Sequence, residues 1–304
     1  MWNIDTIYQN ISVIATEWAP GRSLNAPRNI YLDRRNKSNL YVSDIERDIV
    51  VLYTNVQSVN PLPRIVAGTN DSAAVGLYRL NIPYGVQIDS HNNVLVASSN
   101  DHRVVRWPPN ATSGTVIAGL GTPSNASEGL NAPYGILFDE ENSWLYVADS
   151  ANHRIQRYSL NETWPRNGTT VAGGNGPGSG SHQLSSPVDI WISKKTGAMY
   201  IVDKNNHRIQ RWQQGATQCV MIAGSPSGIP GISPTRLRNP SVVALNINET
   251  YMYVVDRGNN RVQRVLNLIK KHDTVSICRY FTQLSQQFLF FVVAYPMLYM
   301  LIML

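Results

Sequence analysis

Cysteine and charge are both scarce in this chain, and each shortage narrows what the protein can be. The two cysteines, Cys219 and Cys278, provide no disulfide framework, no metal-ligand spacing and no redox Cys-x-x-Cys pair. Charged residues make up only 15% of the 304 residues, and the net charge of +6 does not by itself indicate a nucleic-acid surface. Hydrophobic residues make up 43%, enough for a core, and frequent glycine and proline are typical of a turn-rich all-β protein.

Helical periodicity and enzyme motifs are also missing. No stretch before residue 266 has an apolar period of about 3.6 residues over a useful length. The chain contains no G-x-S-x-G, P-loop, H-E-x-x-H or dinucleotide-binding motif. The glycine-rich run at 173–180 lies between two predicted strands, whereas a phosphate cradle is followed by a helix, so this run is interpreted as a loop. The sequence therefore predicts no catalytic residues and no cofactor.

Signals for the cellular compartment point in two directions. Residues 1–12 contain neither a basic segment nor an apolar segment, so no N-terminal signal peptide is predicted. Asn-x-Ser/Thr sequons are nevertheless frequent, and this acceptor is used only in the secretory pathway. They predict an extracellular or membrane-anchored glycoprotein, and a truncated N-terminus would reconcile the two observations. The sequons lie at Asn10, Asn36, Asn70, Asn110, Asn125, Asn161, Asn167 and Asn248.

The clearest feature of the sequence is an internal repeat. Its anchor is L-x-x-P, and an apolar run that we name strand a follows each anchor, because proline is tolerated as the first residue of a strand but not inside it. The repeat predicts a series of similar modules rather than separate domains. The anchor prolines are 50 to 56 residues apart, at Pro27, Pro83, Pro133, Pro187 and Pro240.

Three further strands are predicted in each module. Strand b ends in Asp or Ser, as in L-Y-V-A-D at 145–149, strand c begins with Arg, as in R-I-Q-R-Y at 154–158, and strand d ends in Ala-Gly. Four short antiparallel strands repeated in this way predict an all-β fold, a β-propeller whose blades cover one another's faces. The aromatic residues that end strand c are interpreted as wedges between blades: Tyr53, Trp107, Tyr158 and Trp212.

The turn between strands b and c carries a family resemblance. D-S-A-N-H-R at 149–154 and D-K-N-N-H-R at 203–208, with the preceding L-x-x-P and the following A-G, resemble the NHL repeat. The resemblance covers about residues 12–266. The first repeat departs from it at 44–48 (D-I-E-R-D), and the fifth has Asn260 in place of the histidine. The resemblance implies a propeller, usually of six blades, that binds proteins, RNA or other ligands.

Five modules are recognisable, and two ways of completing the ring are open. Residues 13–15 (V-I-A) resemble a strand d and would complete the fifth blade of a closed five-bladed ring, the preferred interpretation. Alternatively, residues 274–278 (T-V-S-I-C) form the fifth strand d, and the modules are part of a six-bladed ring. In both cases we predict a lead-in at 1–11, a propeller at 12–266 and a tail at 267–304.

The tail contains an apolar run at 288–304, which is at the short limit of a membrane-spanning helix. Three interpretations are open. The run is a transmembrane anchor, a cleaved lipid-anchor signal, or a translated non-coding end of the gene.

Repeated polar residues are assigned structural rather than catalytic roles. Three histidines, at 102, 153 and 207, occupy equivalent positions about one blade apart, so they cannot converge on a metal ion, whose ligands lie about 2 Å away. No metal site is predicted. Asp and Asn are expected to bind backbone N–H groups in the turn, and Asp to pair with Arg across it. The residues assigned to this turn are Asp149, Asn152, His153, Arg154, Asp203, Asn206, His207 and Arg208.

Strand alternation predicts the functional face. The b–c and d–a loops emerge at the same end of the blades, the d–a loops are long, and loops on a rigid scaffold are common binding sites. Residues that follow the anchor prolines would ring the central channel at this face, and two tyrosines with one arginine suit a protein or peptide partner. The candidate binding residues are Arg28, Tyr84, Tyr134 and Val188.

We therefore predict a non-catalytic scaffold that recognises a protein or peptide partner through the b–c/d–a loop face. One alternative is an RNA-binding or ubiquitin-ligase-associated recognition module, although the sequence has no RING-type Cys/His cluster. Another is an enzyme similar to the propeller lyase that processes peptidyl-hydroxyglycine, which uses metal-bound histidines and disulfides. Membrane contact is expected only through the tail.

Overall fold

The structure is a computed structural model that describes residues 17–19, 22–33, 35, 38–56, 62–69, 76–163 and 166–267. A short hairpin, β1 (Glu17–Ala19) and β2 (Arg22–Ser23), comes first. Five antiparallel sheets follow, each with its strands in chain order. The predicted all-β propeller is therefore confirmed, with five blades in the described residues.

The strands of each blade are as follows. Blade I contains β3 (Pro27–Leu32), β4 (Leu40–Asp44), β5 (Ile49–Thr54) and β6 (Leu62–Gly68). Blade II contains β7 (Pro83–Ile88), β8 (Val94–Ser98), β9 (Arg103–Trp107) and β10 (Thr115–Ala118). Blade III contains β11 (Pro133–Asp139), β12 (Trp144–Asp149), β13 (Arg154–Ser159) and β14 (Thr169–Gly173). Blade IV contains β15 (Pro187–Ile192), β16 (Met199–Asp203), β17 (Arg208–Trp212) and β18 (Val220–Gly224). Blade V contains β19 (Val242–Leu245), β20 (Tyr251–Asp256) and β21 (Arg261–Leu266).

Local sequence explains where these strands begin. In blades I to IV the anchor proline is the first residue of strand a, where its missing N–H is not needed by the sheet. An irregularity in pairing follows each of these prolines before the regular ladder starts. The runs themselves are short and rich in β-branched and aromatic residues, which pack well on a pleated surface.

Most of the hydrophobic core lies between blades rather than within them. Trp107, Tyr158 and Trp212 are almost completely buried and belong to clusters that join blades I–II, II–III and III–IV. Tyr53 is buried in a cluster within blade I and the segment before it. Burying one large apolar side chain contributes about 1.5–3 kcal/mol, so the contacts between adjacent blades stabilise the fold substantially.

The first strand of each blade is innermost, and β3, β7, β11, β15 and β19 lie side by side in that order. At the axis the backbones come very close: a Cβ atom added to Gly135 would lie 2.7 Å from the carbonyl oxygen of Val188. In blades I and IV a side chain bridges the same gap. Asp189 Oδ2 accepts the N–H of Val243 at 3.0 Å, and Asn29 makes a similar bond to blade II at 3.4 Å.

A second joint between blades lies at the b–c turn. His102 Nδ1 accepts the N–H of Ala132, the residue before strand a of the next blade, at 3.0 Å. Each histidine also ends its own turn with a left-handed backbone, so the same residue lies at the turn and joins the two blades. The bond recurs at the next two junctions, at 3.1 Å each, between His153 and Ser186 and between His207 and Asn239.

The first repeat, which departs from the family pattern, makes the same joint with a different residue. Asp48 stands at the histidine position with φ of 55°, and its Oδ1 accepts the N–H of Ile82 at 2.7 Å. An acceptor atom in this place is therefore what the junction requires, and either an imidazole or a carboxylate provides it.

Blade V differs from the others within the described residues. It has three strands, and Val262 of β21 is 39% exposed, whereas the equivalent Ile155 and Ile209 are completely buried. The two segments predicted to complete this blade, 13–15 and 274–278, lie outside the described residues, as does the apolar run at 288–304. In the part of the chain that the structure covers, no helix has the length and apolar character to cross a membrane.

Candidate functional site

The four predicted binding residues lie together at one end of the central channel. Arg28, Tyr84, Tyr134 and Val188 each follow the anchor proline of their blade, and all four line one cavity of about 90 Å³. The innermost strands of all five blades contribute to this cavity, because the same backbone position of each blade faces the axis. We call it the axial cavity. Its role in binding stays a prediction.

The two tyrosines form a stacked pair in the wall of the axial cavity. The ring centres of Tyr84 and Tyr134 are 3.9 Å apart and the ring planes differ by 25°. Burial disfavours ionisation of Tyr84, but hydrogen bonds with Tyr134 and Arg28 outweigh it and lower the pKa of the Tyr84 hydroxyl. Burial, followed by the hydrogen bond with Tyr84 and its charge, raises the pKa of Tyr134 to about 12. Tyr134 therefore stays protonated and can donate a hydrogen bond.

Three cationic side chains line the axial cavity. The guanidinium carbon of Arg28 lies 5.4 Å from the centre of the Tyr84 ring. Lys204 and Arg257 are the first residues of the b–c turns of blades IV and V, and both line the cavity. Burial and the nearby charge of Arg257 lower the pKa of Lys204.

Sequence reasoning missed Lys204 and Arg257, although a signal for them existed. They follow the Asp that ends strand b, and Ser150 occupies that position in blade III. Aligning the turns of the five repeats shows a basic residue in two blades at a position that faces the axis.

One carboxyl group also lines the axial cavity. Burial raises the pKa of Asp189 to about 7, and hydrogen bonds from the backbone N–H groups of Val243 and Ile190 only partly offset this effect. Asp189 is therefore partly protonated near neutral pH. It carries less than a full negative charge beside three cationic groups, so the axial cavity has a net positive charge.

The predicted turn residues of blades III and IV each form one hydrogen-bonded network, and blade V contains an equivalent network. In blade III, Oδ2 of the buried Asp149 accepts bonds from Arg154 Nε at 2.7 Å and Asn152 Nδ2 at 2.8 Å. Its Oδ1 accepts the N–H of Asn131 at 2.7 Å. The Arg154 guanidinium then donates to three carbonyl groups of the preceding d–a loop, those of Asn125, Ala126 and Gly129.

The same network recurs in blades IV and V. Asp203 accepts bonds from Arg208 and Asn206, and Arg208 donates to carbonyl groups of its d–a loop. Asp256, Asn259 and Arg261 repeat the arrangement. The network fixes the long d–a loops against the b–c turns, so this face of the propeller is held in one shape.

The structure also shows where other reactive groups lie. Within the described ranges, no group of three or more His, Cys, Asp or Glu side chains is placed to hold a metal ion. Burial raises the pKa of the Cys219 thiol to about 11, which leaves it a weak nucleophile at neutral pH. Cys278 lies outside the described residues.

The predicted glycosylation sites are accessible wherever the structure describes them. Asn10, Asn36 and Asn70 lie outside the described residues. The other five asparagines are exposed, and none of them lines the axial cavity: Asn110, Asn125, Asn161, Asn167 and Asn248.

Comparison with curated proteins finds NHL-repeat relatives. No family model matches the chain. It is 33% identical over 108 residues to the bovine NHL repeat-containing protein 2, an alignment that covers 33% of this chain and 15% of the relative. It is 27% identical over 229 residues to SUPPRESSOR OF QUENCHING 1 of Arabidopsis thaliana, covering 70% of this chain and 22% of that protein. A third relative, the peptidylglycine alpha-amidating monooxygenase of rat, is 26% identical over 202 residues, covering 59% of this chain and 20% of the relative. The chain thus spans no more than about a fifth of the length of these relatives.

Solved structures support the fold independently. The chain resembles one in the crystal structure of a nidogen/laminin complex with a TM-score of 0.58 and 18% sequence identity, over 79% of this chain and 76% of that one. A protein of unknown function from Bacteroides thetaiotaomicron gives a TM-score of 0.57 at 14% identity, over 79% of this chain and 58% of that one. Together, the repeated turn network, the interblade joints, the NHL-repeat relatives and the similar solved fold support an NHL-repeat β-propeller family for this chain.

Proposed function

We propose that this propeller is a non-catalytic binding scaffold that recognises a protein or peptide partner at the face where the axial cavity opens. The observation that carries the proposal is the stacked pair of Tyr84 and Tyr134 in the wall of that cavity, with Arg28 beside it. Tyrosine and arginine are the side chains most often responsible for affinity in protein interfaces, because they combine apolar area with polar groups.

The surroundings of the axial cavity support this proposal. The turn networks hold the b–c turns and the d–a loops in one arrangement, so a partner would meet a preorganised surface. One solved structure of similar fold is a complex of nidogen with laminin, so a chain of this fold occurs there in a protein–protein complex. That this chain also binds a protein is part of our proposal.

The proposal is tested by replacing both tyrosines. We expect the Tyr84→Ala/Tyr134→Ala variant to lose the partners that the immobilised wild-type chain captures, identified by mass spectrometry, while its melting temperature stays near that of the wild type. Tyr251→Ala is a matched control, because Tyr251 lies at the start of strand b, at the opposite end of blade V from the axial cavity. An unchanged set of captured proteins in the double variant would refute the proposed site.

A catalytic role is the second candidate, because one relative is named peptidylglycine alpha-amidating monooxygenase. In this chain the three repeat histidines lie at three different junctions, and Nδ1 of each accepts a backbone N–H. This arrangement favours the binding scaffold over a metal-dependent enzyme.

We also propose that the protein is exposed to the secretory pathway, as an extracellular or membrane-anchored protein. The support is the exposure of all five sequon asparagines that the structure describes. Glycosylation at these positions would not obstruct the axial cavity, since none of the five lines it.

A further inference from the structure

The charge of the axial cavity indicates what kind of group it binds. Arg28, Lys204 and Arg257 come from three different blades, yet all line a cavity of about 90 Å³ together with the single, partly protonated Asp189. Burial and the repulsion between Lys204 and Arg257 lower the pKa of the Lys204 ammonium. An anion in the cavity would relieve this repulsion and would be held by charge-assisted hydrogen bonds.

We infer that the axial cavity binds a carboxylate of an acidic peptide segment, presented as an Asp or Glu side chain by the protein partner. This inference rests on the proposed function and specifies its chemistry. The guanidinium of Arg28 can donate two parallel hydrogen bonds to a carboxylate, and Lys204, from the b–c turn of blade IV, supplies a compact charge in the same cavity.

The size of the axial cavity agrees with a group of a few atoms. Its volume of about 90 Å³ is well above the roughly 10–15 Å³ that one water molecule needs. It is well below the roughly 300 Å³ at which sites for drug-sized ligands and cofactors begin. One acidic side chain can therefore enter, while the rest of the peptide lies across the surrounding loops.

The arrangement of the aromatic rings favours a peptide over a nucleic acid. Proteins that bind single strands offer a row of cations along a groove and free aromatic faces on which bases stack. Here the three cations line a single small cavity, and the facing sides of Tyr84 and Tyr134 are already occupied by each other, at 3.9 Å. The Tyr134 hydroxyl keeps its proton and can donate it in a hydrogen bond to a carboxylate, or continue to donate to Tyr84.

The test measures fluorescence anisotropy of a labelled tetraglutamate peptide with a blocked C-terminus, titrated with the full chain. A tetraglutamine peptide and a labelled oligothymidine serve as alternative probes. The Lys204→Ser/Arg257→Ser variant removes two cations and installs the residue that blade III uses at the same turn position, Ser150, so the fold has a precedent for it. Lys194→Ser is the control, because Lys194 is exposed at the opposite end of blade IV.

We expect the wild type to bind tetraglutamate and not tetraglutamine, with an affinity that falls as salt is added. The double variant should bind tetraglutamate at least roughly tenfold more weakly, since each lost charge-assisted bond has an effect of about that size. The Lys194→Ser variant should bind as the wild type does. Equal binding of both peptides, an unaffected double variant, an equal loss in the control, or stronger binding of the oligothymidine would overturn the inference.

The titration and the capture experiment together distinguish a failure of the acidic-peptide inference from a failure of the proposed function. If the tyrosine variant loses its captured partners but tetraglutamate does not bind, the scaffold proposal stands and the acidic-peptide inference fails. If the tyrosine variant keeps its partners, the proposed site itself is wrong. Circular dichroism melts of all variants exclude loss of folding as the cause.

Discussion

At the scale of single residues, the joints between blades depend on one acceptor atom in the correct place. Asp48 and His102 differ in size and charge, yet each accepts the N–H of the residue that precedes the next blade. Both have a left-handed backbone, which places the side chain at the end of its turn. The repeat therefore tolerates a change of residue here as long as an acceptor is retained.

His207 provides a test at this scale. His207→Ala would leave the N–H of Asn239 without its partner and should reduce the free energy of unfolding by about 1–3 kcal/mol. His207→Asn should cost less, because asparagine tolerates a left-handed backbone, as Asn260 does in blade V, and keeps a carbonyl acceptor. Chemical denaturation of both variants at pH 7.5 gives the comparison; equal losses would show that the acceptor does not matter.

The same residue should make stability depend on pH. Burial, followed by the charge of Arg238, lowers the pKa of His207 in the folded state. The unfolded histidine therefore takes up a proton first, near pH 6.5, and the free energy of unfolding should fall as the pH drops from about 6.5 through the folded pKa. Above about pH 6.5 this contribution is complete. The slope between pH 5 and 7 should be smaller in His207→Asn than in the wild type, and identical slopes would contradict this assignment.

Sequence patterns could place some of the axial residues and not others. Arg28, Tyr84, Tyr134 and Val188 could be placed because each stands at a fixed offset from an anchor proline. The stacking of the tyrosines could not be predicted, since it depends on the spacing between strands of two blades whose residues are about 50 positions apart. The raised pKa of Asp189 likewise depends on burial at an axis that no local pattern describes.

At the scale of elements, the b–c turn of blades III, IV and V and the d–a loop that precedes each of these blades form one unit. The Asp–Arg pair joins the end of strand b to the start of strand c, and the same arginine holds the d–a loop through its backbone carbonyl groups. The strand pattern, the bounding prolines and the Asp–Arg pairing could be inferred from the repeat. The contacts to the loop could not, because carbonyl acceptors leave no trace in the sequence.

Arg154 tests this unit. Arg154→Ala would leave Asp149 buried without its cation and three loop carbonyl groups without their donor. Loss of one partner of a buried pair costs about 3–5 kcal/mol, so this variant should unfold at a clearly lower denaturant concentration. Arg261→Ala should cost less, because the Arg261 side chain is 29% exposed against 9% for Arg154. Equal midpoints for the two variants would show that burial does not set the effect.

At the scale of the whole molecule, the apolar clusters, the charged cavity and the exposed sequons lie in largely different parts of the propeller. The core lies between blades, the axis carries the charged cavity, and the exposed sequons lie on loops that do not reach that cavity. The repeat in the sequence was sufficient to predict the propeller, because modules of four short strands can bury their faces only against one another. The two segments predicted to complete blade V lie outside the described residues.

Glycosylation is the prediction that belongs to this scale. Secretion from eukaryotic cells behind a heterologous signal peptide should give a chain whose mobility increases after treatment with an N-glycosidase. Asn161→Gln and Asn248→Gln, at exposed positions in two blades, should each remove one step of the shift. A secreted chain of unmodified mass would argue against the proposed compartment. The affinity for tetraglutamate should be the same before and after deglycosylation, since no sequon lines the axial cavity.

The equivalent positions at the axis have a consequence for how such proteins diversify. Each blade offers one side chain after its anchor proline, and the blade turns can add another, while the histidine joints at the turns use separate residues. Substitutions at these axial positions would thus change the chemistry of the cavity while the hydrogen bonds that join the blades at their turns stay in place. Two chains of this architecture could share nearly every buried residue and still select unrelated targets.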